Sequence, residues 1–244
     1  MTEPTIPAPA GIDPTKLSIQ EFYEHACQTP SDIHEHLPLL RRLAENCVAT
    51  GRTATREPSG GHVTELGLRW GNGSTLAFLA AAPAQLVSWD LEPLHVVHDN
   101  ILVVANAVTH GIWGDRPRTR FQPRTGNTLE VATEDTDLIF FDTFHTAKHL
   151  LAELMKHGPK ARKYLVFHDT KTYGLVGEDG KYPGLRAAIN RFQKEYFPLW
   201  RMIEDRDNCN GLVVLQKEAD YEKHPWRSFW TTGEGTPDSR PEGV

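Results

Sequence analysis

Four carboxylates and a run of glycines stand where short apolar stretches of this sequence end. "HVTELGLRWGNGSTLAFL", residues 62–79, closes a β-branched run with Glu65 and passes Gly67, Gly71 and Gly73 before an apolar helix opens at Ser74. Glycines at such a turn let the backbone bend sharply and let a ligand come close, and the helix start presents free N–H groups. The stretch is not a G-x-x-x-x-G-K-S/T phosphate loop, because no Lys precedes Ser74, and it is not a clean G-x-G-x-x-G. A strand-end Glu two residues before the first glycine suits a ligand with an ammonium group. An ordinary strand–helix turn accounts for this segment equally well. Asp90 ends the next apolar run, "QLVSWD", where a carboxylate can hold two ribose hydroxyls. A lone Asp there is more often a helix cap, and Glu92 is a weaker substitute for it.

Asp142 ends "DLIFFD" and Asp169 ends "KYLVFHD". Carboxylates at the ends of neighbouring strands open onto one crevice, where they bind a divalent cation or act as acid and base. The alternative is that each caps a following helix. His145, just past Asp142, is a candidate general base near neutral pH. His168 sits beside Asp169, as a ligand or as a hydrogen-bond partner. His149 and Glu153 follow His145 at helical spacing, which allows a His-His-Glu face, but Leu150, Leu151 and Leu154 supply a buried face, so an exposed polar stripe is the expected arrangement. His25, His34, His36, His95 and His98 are expected to be surface or core fillers.

The elements that must position these groups alternate. Strand-like runs are "HVTEL", "QLVSWD", "RTRF", "DLIFFD" and "KYLVFHD"; helix-like runs are "STLAFLAAA", "LHVVHDNILVVANAVTH", "TAKHLLAELMKHG" and "YPGLRAAINRFQKEYF". That alternation predicts an α/β fold, a mostly parallel sheet with helices on both faces. "LWRMIED" and "GLVVLQK" are separated only by "RDNCN", too short for a parallel crossover, so the last strand must run backwards. Asn210-Gly211 suits the turn. Upstream, "SIQEFYEHACQTPSDIHEHLPLLRRLAENCVA" reads as one or two amphipathic helices with Ser31 as an N-cap, followed by a loop, "TGRTATREPSGG". The expected organisation is a disordered tail over 1–16, a helical segment over 17–50, a cofactor-binding domain over 51–217 and a partly disordered extension over 218–244. Within that extension "HPWRSFW" is too aromatic for a free tail. The helical segment, with Tyr23, His36, Leu37 and Leu40, either packs onto the domain, the commoner case, or offers the face of a homo-oligomer.

Composition narrows the class. The chain has 244 residues and a net charge of −6, and its Lys and Arg are scattered, so it lacks the basic stripe that nucleic-acid binding needs. No stretch has the apolar length of a membrane span, and the first residues have neither the basic start nor the apolar run of a signal peptide. Cys27, Cys47 and Cys209 are odd in number and lack metal-ligand spacing, which suits reduced thiols in a soluble cytoplasmic protein.

Taken together, "TPSDIHEHLPLLRRLAENC", "VTELGLRWGNGSTLAFLA", "DLIFFDTFHTAKHLLAEL", "RKYLVFHDTKTYG", "GLRAAINRF" and "NGLVVL" resemble the class I S-adenosylmethionine-dependent methyltransferases. The nearest branch is that of the cephalosporin-hydroxylase-like and macrolide-sugar O-methyltransferases. The resemblance spans roughly Phe22 to Leu215, and "FFDTFHT" and "FHDT" are its most specific parts. It implies a Rossmann-like, seven-stranded sheet with the last strand antiparallel. It implies that Glu65 to Gly73 and Ser74 hold the methionine part of S-adenosylmethionine, Glu65 near the ammonium, and that Asp90 holds the ribose. It also implies a divalent cation, magnesium or another, on Asp142 and Asp169, to which His168 adds a candidate ligand, with His145 and Asp142 serving methyl transfer to a sugar or polyol-like hydroxyl. The sequence departs from the family at the longer turn "WGNGST", at inserted Thr, Arg and Gly before the strand, and at His168, where metal-dependent relatives carry an acid. Two competing classes are a catalytically degenerate cofactor-binding or scaffold protein and an NAD-dependent oxidoreductase. The reversed last strand disfavours the oxidoreductase.

Overall fold

Strands with unbroken apolar runs need cover on both faces, and the two with the purest runs lie at the centre of the sheet. A computed structural model describes residues 18–54, 60–69, 71, 73–92 and 119–218, with the side chains of 50–54 left aside. Expectations for the tails, for "LHVVHDNILVVANAVTH" with His95 and His98, and for "HPWRSFW" fall outside the described residues. The strands are β1 (His62–Leu66), β2 (Gln85–Asp90), β3 (Arg120–Thr125), β4 (Thr136–Phe141), β5 (Ala161–His168), β6 (Trp200–Arg206) and β7 (Leu212–Lys217). They form one seven-stranded sheet in the order β3-β2-β1-β4-β5-β7-β6. β1 to β5 pair in parallel, and β7 runs antiparallel to both β5 and β6. The reversed strand and the α/β class expected from sequence are both present.

Period-two alternation sorts the core into two layers. Leu138 and Phe140 of β4 and Val166 of β5 pack on one face with α1 (Ile19–Gln28), α2 (Leu37–Ala54) and α3 (Ser74–Ala80). Ile139, Phe141, Leu165 and Phe167 pack on the other with α4 (Ala147–His157) and α5 (Leu185–Glu195). Each fully buried Phe or Leu contributes about 1.5–3 kcal/mol over its exposed state. Leu37, Leu40 and Ala44 of α2 share their layer with Val63 and Leu76, so the N-terminal helices and the sheet have a common core.

Three local expectations are corrected. Ser18 caps the first helix, in a capping box with Glu21; Ser31, expected to cap the helix through Leu37, Leu40 and Leu43, accepts from the N–H groups of Ile33 and His34 and leads into a 3-10 turn, His34–His36, ahead of α2. α2 continues to Ala54, into the stretch expected to be a loop. One internal glycine costs a helix about 1 kcal/mol, less than the buried face of Leu37, Leu40, Leu43 and Cys47 returns. β3 runs through Pro123 to Thr125 instead of ending at Phe121, which an edge strand tolerates. The hairpin joining β6 and β7 turns on Asn210 and Gly211, both at positive φ (66° and 95°). Among the described residues no helix is long and apolar enough to cross a membrane.

Candidate active site

The glycine turn lies where the sheet order diverges, with β2 on one side of β1 and β4 on the other. Ligand crevices in open α/β sheets form at such a switch point, beyond the carboxyl ends of the strands. Here the backbone itself closes the gap. Gly67 N–H donates to the Trp89 carbonyl (2.9 Å), Asp142 N–H to the Leu66 carbonyl (2.8 Å). Gly67 has φ +93°, and a Cβ on it would stand 1.9 Å from the Asp142 carbonyl oxygen. Gly71 (φ +66°) donates to the Leu68 carbonyl, and Gly73 is the N-cap residue of α3.

Glu65 lies under this turn. It is fully buried, and its carboxylate accepts from Ser74 Oγ (2.6 Å), Thr75 Oγ1 (2.9 Å) and Ser88 Oγ (2.6 Å). Burial pushes it up to about 7 against the pull of the three hydroxyls. From sequence the acid is expected to face a ligand ammonium; the fold sets it behind hydroxyls, as a support that ties β1, β2 and α3 together. Ser74 is likewise turned inward. Asp90 stands at the cleft, where Oδ2 accepts from the N–H groups of Leu68 (3.1 Å) and Arg69 (2.7 Å) and Oδ1 from that of Glu92 (2.9 Å). It braces the turn from the β2 side and lines the cleft, whereas the Glu92 side chain is exposed outside it.

The cleft holds about 330 Å³ and is lined by Gly67, Trp89, Asp90, Gly126, Asn127, Thr128, Asp142, Thr143, Phe144, His145 and His149, among others. Its polar wall begins at Asp142. Asp142 Oδ1 accepts from His145 Nε2 (3.2 Å) and His168 Nδ1 (3.3 Å), and His145 Nε2 also reaches Asp169 Oδ2 (2.9 Å). Neither acid caps a helix: Thr146 is the N-cap of α4, and Asp169 leads into turns at φ +58°. Burial disfavours charge on both rings, but the carboxylates prevail. Asp142 and Asp169 raise His145 to about 10 and His168 to about 9. Burial would raise Asp142 too, yet the two imidazoliums hold it well below the usual carboxylate range.

The donor set fits a divalent cation. One donor atom each from Asp142, His168 and Asp169 lie within 4.8 Å of one another. His168 Nε2–H donates to the Asp32 carbonyl (3.1 Å), which turns Nδ1 toward the carboxylates, the arrangement of a ligating histidine with its other nitrogen anchored. Asp169 Oδ1 is buried without a hydrogen-bond partner. An imidazole among the ligands suits a transition metal better than magnesium.

Several participants are not legible from sequence. Glu178 accepts from His145 Nδ1 (3.1 Å), and Tyr173 stacks on the His145 ring at 4.9 Å. Both come from the turns after β5, which carry no periodic signal. The expected exposed stripe on α4 is also corrected. Glu153 is fully buried and accepts from Thr143 Oγ1 (2.8 Å), Thr128 Oγ1 (2.5 Å) and His149 Nε2 (3.1 Å), while His149 lines the cleft. Thr128 and Thr143, just past the ends of β3 and β4, complete this pocket.

No family model and no curated protein matches the sequence. Solved structures share its fold. A Corynebacterium glutamicum protein is 17% identical with a TM-score of 0.55, covering 85% of this chain and 91% of its own. An O-methyltransferase from Bacillus cereus, in complex with SAH, is 14% identical with a TM-score of 0.53 (86% and 93%). The O-methyltransferase TomG from Streptomyces achromogenes, involved in tomaymycin synthesis and in complex with SAM, is 15% identical with a TM-score of 0.53 (81% and 89%). The chain therefore has the Rossmann-like fold of the class I S-adenosylmethionine-dependent methyltransferases.

Proposed function

We propose that this chain, built on the class I methyltransferase fold, transfers a methyl group from S-adenosylmethionine to a hydroxyl of a small acceptor, a sugar or polyol-like molecule. The observation that carries the reading is the meeting of Gly67 of the glycine turn with Asp142 and His145 on one cleft, joined by the Gly67–Asp142 contact, with Asp169 buried behind His145. The methionine end of the cofactor would lie against the turn, and Asp90 would receive the ribose hydroxyls. Glu65 then acts through the turn it supports.

In the reaction the acceptor oxygen attacks the methyl carbon as the carbon–sulfur bond breaks toward sulfur, and the hydroxyl proton leaves to a base. Alignment of oxygen, carbon and sulfur supplies much of the rate. His145 would take the proton, and its contacts with Glu178 at Nδ1 and with the Tyr173 ring would hold it in position. A divalent cation on Asp142, His168 and Asp169 would supply Lewis acidity that lowers the pKa of a bound hydroxyl. It would also compete with the His145 proton for the two carboxylates.

Calorimetric titration with S-adenosylmethionine and with NAD, each with and without magnesium, manganese or zinc, tests the reading. Binding of S-adenosylmethionine alone supports it. Binding of neither cofactor leaves the degenerate scaffold, and binding of NAD alone restores the oxidoreductase.

A further inference from the structure

The 3-10 turn ahead of α2 and the β6–β7 hairpin carry three metal-ligating side chains that the cleft does not use. His34, Glu35 and Cys209 each place a donor atom within 4.8 Å of the other two. Cys209 Sγ lies 3.4 Å from His34 Nδ1, across 175 positions of sequence. Zinc–sulfur and zinc–nitrogen bonds of about 2.3 and 2.0–2.1 Å set the two ligand atoms about 3.6 Å apart in a tetrahedron, so the pair already stands near ligating separation. The Glu35 carboxylate lies 4.0 Å from His34 Nε2 and accepts from the side-chain amide of Asn208, which turns it toward the hairpin. Both segments are anchored independently of these donors. Ser31 Oγ holds the start of the turn, and His36 Nε2 donates to the Asn208 carbonyl at 3.0 Å.

We propose that His34, Glu35 and Cys209 bind zinc or a similarly thiophilic divalent cation, forming a clasp between the N-terminal turn and the β6–β7 hairpin. A thiolate with an imidazole selects zinc over magnesium or calcium. On binding, the Cys209 thiol releases its proton to solvent, and His34 Nδ1 gives up its contacts with Ser31 and offers its lone pair to the metal, the ring's one proton residing on Nε2. The clasp bears on the cleft because Asp32, in the same turn, supplies the carbonyl that holds His168 Nε2.

Cobalt titration of the metal-free full chain tests this, since a sulfur ligand gives cobalt a near-ultraviolet charge-transfer band. The band should appear in the wild type and in Asp142→Asn, whose other site contains no sulfur. It should be displaced by zinc and vanish in Cys209→Ser. In the Asp142→Asn background, which disables the cleft set, zinc should raise the unfolding midpoint, and adding Cys209→Ser should abolish that rise. Glu35 is exposed, so Glu35→Gln should fold normally and bind zinc at least about tenfold more weakly. A wild type without the band, a band that survives in Cys209→Ser, or unchanged zinc affinity in Glu35→Gln overturns the proposal.

Discussion

At the residue scale, His145 stands between two carboxylates that hold its proton and a proposed methyl transfer that would need the proton gone. With a value raised to about 10, only about one ring in a thousand is neutral at pH 7. If His145 is the base in the absence of added metal, kcat should therefore rise about tenfold per pH unit until about pH 10. His145→Ala should flatten that profile and lower the rate by about 10²–10⁴-fold. Steady-state rates across the alkaline range decide the matter, and a flat wild-type profile removes His145 from the role. A cation on Asp142 and Asp169 draws on the same carboxylates, so added manganese or zinc should shift the rise to lower pH. His168 keeps its Nε2 on the Asp32 carbonyl whichever cation sits beside it, which makes it a ligand or a charge partner and a poor shuttle.

At the scale of elements, Gly67 is the joint at which β1 meets the end of β4. Gly67→Ala drives a Cβ into the Asp142 carbonyl at 1.9 Å and forces a side chain into positive φ. The substitution should cost about 2–4 kcal/mol of stability and abolish cofactor binding; thermal unfolding beside calorimetry would show both, and retained affinity would detach the turn from the cofactor. Ser18→Ala is a milder case. It removes the capping box of α1 and should cost about 1 kcal/mol, or about 2–4 °C for a chain of this size. The sequence made these elements legible where one physical signal dominated. "LIFF" and "LVVL" read as buried strands and are interior strands of the sheet, and Asn210-Gly211 in so short a connection requires the reversal that β6 and β7 make. That Asp142 and Asp169 would stand together was legible too, because acids closing apolar strands are costly without a purpose, and His145 and His168 join them in the fold. Glu178, Tyr173 and the Asp32 carbonyl were not, since irregular turns bring them in and no spacing rule links them to His145. Glu153 was misjudged because helical periodicity identifies an apolar face but is blind to threonines waiting on other strands.

At the scale of the molecule, the buried ionisable groups act on stability in opposing directions. His36 is buried and held neutral, lowered from 6.5 to about 4 chiefly by burial and then by the charge on His168. A depressed histidine contributes stability that is present above 6.5 and lost as pH falls through about 4. Glu65 has the reverse sign. Raised from 4.5 to about 7, it contributes stability that is full below 4.5 and lost as pH rises through about 7. The two nearly cancel between about pH 4.5 and 6.5. His145 and His168 then control the alkaline side, because values raised from 6.5 to about 10 and about 9 give stability that fades as pH climbs through that range. The unfolding midpoint should accordingly be level over about pH 4.5–6.5 and decline toward pH 9–10. His145→Ala should lower the plateau while making the alkaline limb shallower, and His36→Leu should make the acid limb shallower without touching the alkaline one. Since the methyl-transfer base would have to lose the proton that the fold holds in place, activity and stability should run in opposite directions above neutrality. Melting curves and rates measured across the same pH series on one preparation would show that crossing, and parallel trends would mean that His145 serves the structure alone.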